Sequence, residues 1–136
     1  MAVTVRRSIA VQVIVTEQFK QELRDELQEA IGVTRRRIEE IDIQGRRFLA
    51  DLQRSDITQA MQARRQIEAE KRRQEALLED LRRQLEEAEK LEPGSEFPRG
   101  TLEGLVELSP GNDLLRKLAG AQIVVKDGVI VEVRET

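Results

Sequence analysis

The stretch QRSDITQ, Gln53 to Gln59, sits in the middle of a long charged helical pattern and contains neither proline nor glycine. Its reading decides the fold. A helix that continues through it makes a rod roughly 110 Å long at 1.5 Å per residue, whereas a reversal makes a hairpin of two helices. On its N-terminal side Leu27, Ile31, Thr34, Ile38, Ile41, Gly45, Phe48 and Leu52 recur in alternating steps of four and three, an a/d seam with two weak members. On its C-terminal side Ala60, Arg64, Ile67, Lys71, Gln74, Leu78, Leu81, Leu85 and Ala88 keep the same rhythm. From Leu52 to Ala60 the step is eight residues, where an unbroken heptad seam requires seven. The seam slips inside the quoted stretch.

A second signal separates a reversal from a one-residue skip. Asp56 followed by Gln59 forms a capping box, the Asp56 side chain accepting from the Gln59 amide and the Gln59 side chain reaching back; Ser55 is an alternative cap. Folding about Asp56 sets Leu52 opposite Ala60, Phe48 opposite Arg64, Gly45 opposite Ile67, Ile41 opposite Lys71, Thr34 opposite Leu78, and Leu27 opposite Leu85. Both halves of the seam then meet in register. The expectation is an antiparallel coiled-coil hairpin over residues 17–92 with its turn near 53–58. Thr16 caps the first helix, Glu17 suits its dipole, and Pro93 and Gly94 end the second. Arg64, Lys71 and Gln74 interrupt the seam toward the loop, and Gly45 costs about 1 kcal/mol relative to Ala, so that half is expected to be softer.

The flanking segments read as strands. Ile9, Val11, Val13 and Val15 alternate with Ala10, Gln12 and Ile14; further strands are expected near 102–108, 122–126 and 129–134, and a short helix near 113–119. Asp127 and Gly128 supply a type I′ turn between the last two strands. A lone hairpin of strands is barely stable in water, so strand 1 is expected to join the C-terminal strands. The fold class is therefore α+β: residues 1–16 and 93–136 build a small antiparallel sheet or partial barrel, from which the helical hairpin projects.

Composition narrows the function. Of 136 residues 36% are charged and 2% aromatic, the profile of long helices, with no room for a large globular core. Cys and His are both absent, which removes thiolate sites and the commonest acid/base group and metal ligand. The glycines make no phosphate-binding loop, and neighbouring carboxylates such as Glu39 with Glu40 diverge by about 100° around a helix. No enzymatic activity, cofactor, metal or small-molecule substrate is expected. RRSIAVQVIVT, residues 6–16, is too short and too polar for a secretory signal, and no apolar run nears the roughly 18 residues of a membrane span. A cytoplasmic protein without a membrane partner is expected.

GLVELSPGNDL and IVVKDGVIVEVR, following a strand and a charged helical segment closed by LEPGSEF, resemble the bacterial YlqD family across essentially the whole chain. EGLVEL and VVKDGVIVE carry most of the likeness. The resemblance implies a fold layout and a bacterial cytoplasmic setting, and transfers no active-site residue.

Charge distribution supplies the remaining functional hint. Residues 35–73 hold eleven Lys/Arg against seven Asp/Glu, net +4, while residues 17–34 carry −3 and 74–92 carry −4. The basic contact surface is expected at Arg35, Arg36, Arg37, Arg46, Arg47, Arg64, Arg65, Arg72 and Arg73. Two uses follow: a structural or interaction protein whose arm engages a protein partner or itself, or a module that sets these arginines on RNA or the ribosome. Val33, Ile43, Leu49 and Leu77 lie off the seam and hint at a second contact face, hence a homo-oligomer.

Overall fold

The computed structural model describes residues 1–135. Its elements are β1 (Val3–Ile14), α1 (Glu17–Ser55), α2 (Ile57–Glu89), β2 (Glu96–Leu108), α3 (Leu114–Leu118), β3 (Gln122–Lys126) and β4 (Val129–Arg134). The protein is α+β, with two long helices and one four-stranded sheet. It divides into two compact units: Met1–Gln21 with Leu91–Thr136, and Glu22–Lys90.

The helical unit is a hairpin, and its non-helical backbone at the reversal is confined to Asp56, which is extended at φ −156° and ψ 102°. The Asp56 carboxylate accepts from the Gln59 amide at 3.1 Å, leaving one fewer orphan N–H in the first turn of α2. The Asp56 amide donates to the Leu52 carbonyl at 2.7 Å, so it is already occupied by α1, and only the Asp56 half of the expected capping box is drawn. Arg54 lies in the last turn of α1, where a cation suits the dipole. At the other end of α1, Thr16 caps through its hydroxyl, which accepts from the Phe19 amide at 3.1 Å and donates to Asp127 at 2.6 Å.

The antiparallel course of the two helices is fixed by contacts between them. Arg24 pairs with Glu89, Asp42 with Lys71 at 2.8 Å, and Ile67 lies over Gly45. Leu23, Leu27, Ile31, Thr34, Ala60, Leu81 and Ala88 are buried along the seam. Burial is densest toward the open end, because there aliphatic side chains face one another. Three details differ from the sequence reading. Phe48 is 55% exposed instead of closing the seam against Arg64. Lys71, which interrupts the apolar seam, is met by Asp42 across the hairpin. Gly45 is packed beneath Ile67, since a Cβ there would stand 3.0 Å from Ile67 Cγ2.

The sheet corrects the expected antiparallel sheet or partial barrel. Its strand order is β2-β1-β3-β4, and β1 runs antiparallel to β2 but parallel to β3, so the sheet is mixed and not closed. The parallel pair arises because the β2–α3–β3 connection carries the chain across β1. Parallel neighbours require such a crossover. Two strands also start earlier than their alternation suggested. β1 begins at Val3, and β2 at Glu96, running through Pro98 and Gly100 with a register shift opposite Ala10 to Gln12. Asp127 and Gly128 have φ +48° and +84°, the two positive values of the two-residue turn between Lys126 and Val129.

Pairing assigns the two faces. Ala10, Gln122, Val124, Glu132 and Arg134 share one, on which Arg134 reaches Glu96 at 2.7 Å. In a flat four-stranded sheet the outer strands stand about 14 Å apart, so this pair shows the sheet curling toward that face. Val124 lies there at 1% exposed. Four strands are too few to close a filled barrel. The opposite face carries a cross-strand row of Phe97, Val13, Val125 and Ile130 and a second of Val11, Ile123 and Val133 continuing to the Ile9–Leu102 pair. Phe19 packs on Phe97 with ring centroids 5.5 Å apart, and α3 lies over this face, where Arg7 donates to the Lys117 carbonyl at 3.1 Å.

Candidate functional site

All nine arginines expected to form a contact surface are exposed on α1 and α2. The hairpin does not gather them into one patch. At about 100° per residue Arg35, Arg36 and Arg37 fan around α1, and Arg46 with Arg47 diverge in the same way. Along the hairpin they fall into two groups. Arg72 and Arg73 engage Glu68 and Glu70 on their own helix, and Arg37 lies in the field of Glu70. Arg46, Arg47, Arg64 and Arg65 stand nearer the loop, and among the described residues none of these four forms an ion pair. Arg35 and Arg36, farther from the reversal, likewise form no ion pair among the described residues, so the unpaired positive charge is spread along the hairpin.

The same region holds a feature the heptad reading missed. Ile41, Gly45 and Ile67 form the floor of a groove between the helices, Phe48 stands at its edge, and Gln44, Gln66 and Glu70 form its polar rim. The groove continues along the hairpin past Arg37, Glu40 and Gln74. It exists because Gly45 lacks a side chain and Ile67 only partly fills the space above it. Gln74 donates to Glu70 at 3.2 Å, while its own amide oxygen is buried without a partner. Hydrogen bonds from Arg73 and then Gln74 hold the Glu70 carboxyl below the ordinary range, so the rim is anionic at neutral pH. The missing signal was available in part: Phe48 faces the loop-side interruption of the seam, where Arg64 offers no apolar partner.

Asp42 and Lys71 bracket this groove region and set its pH response. The Lys71 hydrogen bond holds the Asp42 carboxyl below its ordinary 3.8, and the same bond holds the Lys71 ammonium above 10.5. A carboxyl lowered in the folded state contributes stability fully present above 3.8 and lost as pH falls through the folded value; a raised ammonium loses its contribution as pH climbs through its folded value. Asp42→Asn is expected to lower the thermal midpoint of the hairpin slightly at pH 7 and not at all near pH 2, as followed by circular dichroism. Equal effects at both pH values would show that the ion pair is not responsible.

Among the described residues no group of three or more Asp or Glu is placed to hold a metal ion, and no helix is long and apolar enough to cross a membrane. A mixed four-stranded sheet together with a long helical hairpin defines an α+β protein whose chain ends share one unit. The YlqD protein family matches residues 3–134, and the chain belongs to that family. The crystal structure of a protein of unknown function from Synechococcus sp. WH 8102 has the same fold. It superposes with a TM-score of 0.91 at 24% identity, covering 99% of this chain and 96% of that one. No curated protein matches the chain.

Proposed function

We propose that the protein is a non-enzymatic, cytoplasmic interaction protein whose hairpin serves as a coiled-coil arm and engages a protein partner through the groove beside Phe48. The observation that carries this reading is the exposure of Phe48 at the edge of an apolar-floored groove with a polar rim. Phe, Met and Arg are the residue types enriched in protein interfaces, and Ile57, Met61 and four unpaired arginines surround the same end of the hairpin. A partner helix or extended segment would seat an apolar side chain on Ile41 and Ile67 and set carboxylates toward Arg46, Arg47, Arg64 and Arg65. The alternative, an RNA or ribosome contact, is favoured by those arginines alone. It gains less from the geometry, because the arginines fan around the helices and Phe48 is the only aromatic in the hairpin beyond residue 19.

Tagged protein used to recover binding proteins from a cell extract provides the test. Phe48→Ala is expected to reduce recovery of the partner about tenfold or more, as truncation of an interface anchor does. Recovery should survive ribonuclease treatment and fall only moderately between 50 and 200 mM salt. Loss on ribonuclease treatment, with a steep salt dependence abolished by Arg→Gln changes at residues 46, 47, 64 and 65, would replace the protein partner with RNA.

A further inference from the structure

The curled sheet buries Val124 on one face and leaves the other face largely aliphatic. On that outer face Leu102, Ile130 and Val133 are 55%, 58% and 65% exposed, and α3, which lies over it, exposes Leu114, Leu115 and Leu118. Leu102, Ile130 and Val133 stand at the ends of the cross-strand rows, and Phe97, the remaining end, is half-buried against Phe19. None of the six is charged.

We propose that this face, together with the exposed side of α3 lying against it, is the docking site for a second copy of the chain, the two copies related by a two-fold axis. Area supports the assignment. At about 25 cal/mol per Å², the roughly 1.5–3 kcal/mol of a buried aliphatic side chain corresponds to on the order of 100 Å² each. Six such side chains, with the half-buried valines and isoleucines of the two rows between them, reach the about 800 Å² per partner that a stable interface removes from water. Monomers rarely expose a contiguous apolar patch above a few hundred Å². Composition points to self-association, because permanent homodimer interfaces resemble a core cut in half and are predominantly apolar. Charge supports a two-fold arrangement: α3 begins at Asp113 and ends with Arg116 and Lys117, so two copies lying antiparallel set the acidic end of one against the basic end of the other. The proposal is independent of the groove on the hairpin.

Light scattering and sedimentation of the full chain test it. The wild type at about 10 µM is expected to have twice the 15.6 kDa protomer mass. Val133→Glu and Leu115→Glu are each expected to raise the dissociation constant at least a hundredfold and give monomers, with the circular dichroism spectrum of the wild type. Leu115 is 77% exposed, so its substitution leaves the protomer fold intact and decides the matter if Val133→Glu disturbs the sheet. Phe48→Ala should leave the dimer unchanged, which separates this surface from the hairpin groove. A wild-type monomer at 100 µM, or a dimer that persists in Leu115→Glu, overturns the proposal. A monomer that instead binds lipid vesicles through these leucines overturns it equally, in favour of a membrane surface.

Discussion

Val124→Asp is expected to unfold the β unit. Val124 is 1% exposed, paired with Gln12 on one side and Glu132 on the other, on the face toward which the sheet curls. The arginine on that face, Arg134, is already shared between Glu132 and Glu96. Those two acids, through their hydrogen bonds, hold the Arg134 guanidinium protonated more firmly than an ordinary arginine, and Glu132 is correspondingly held below the usual carboxylate range. Burying an unpaired charge costs several kcal/mol, comparable with the whole stability of a unit of this size, about 0.05–0.15 kcal/mol per residue. The expected result is loss of amide exchange protection across β3 and β4. A variant whose strands remain protected would show that Val124 does not sit in a core.

Gly45→Leu should disrupt the hairpin to a similar degree, for a different reason. Gly45 is buried in the middle of α1, and the space above it belongs to Ile67, whose Cγ2 lies 3.0 Å from where a Cβ would stand. Adding four carbons forces the helices apart at that level, at a cost of about 1–3 kcal/mol from overpacking alone. Gly45→Ala is the informative control. Its gain of about 1 kcal/mol in helix propensity opposes a contact that must give by only a few tenths of an ångström, so the midpoint should hardly move. Ile67→Ala combined with Gly45→Leu should recover part of the loss, with a coupling of about 1–2 kcal/mol in a double-mutant cycle. A coupling of zero would mean that residues 45 and 67 do not face each other.

The second result bears on how the chain could be read. The reversal at Asp56 is legible because it needs only local chemistry: a seam that slips by one residue and an acid three positions before Gln59. Each signal survives without knowledge of the rest of the molecule. The pairing of Gly45 with Ile67 follows from the same count, but its meaning does not. A glycine in a heptad seam reads as a weak helix former, and only the opposing isoleucine shows that its missing side chain admits close approach and opens a groove. Phe48 was misread for a related reason. Heptad spacing assigns it inward, yet its partner level is Arg64, which offers no apolar surface to cover the ring, and Phe48 is left 55% exposed at the edge of the groove.

The candidate site shows the same division. Counting charge names nine arginines, and all nine are exposed. Counting could not show which of them remain unpaired. Arg72 and Arg73 find Glu68 and Glu70 on their own helix, so the net charge overstates what is available there.

Periodicity and turn chemistry alone determined that the chain has two long helices reversing at one acidic residue, flanked by β segments, with the last two strands joined by Asp127 and Gly128. Those are properties of neighbours in sequence, governed by backbone preference and by which side chains share a helix face. The tertiary structure decided that β1 and β3 run parallel, that the sheet curls without closing, and that Val124 is inside while Val133 is outside. Alternation assigns residues to two faces of a strand but does not say which face is covered. That depends on the direction of the crossover between β2 and β3 and on the Arg134–Glu96 contact, which joins residues 38 positions apart.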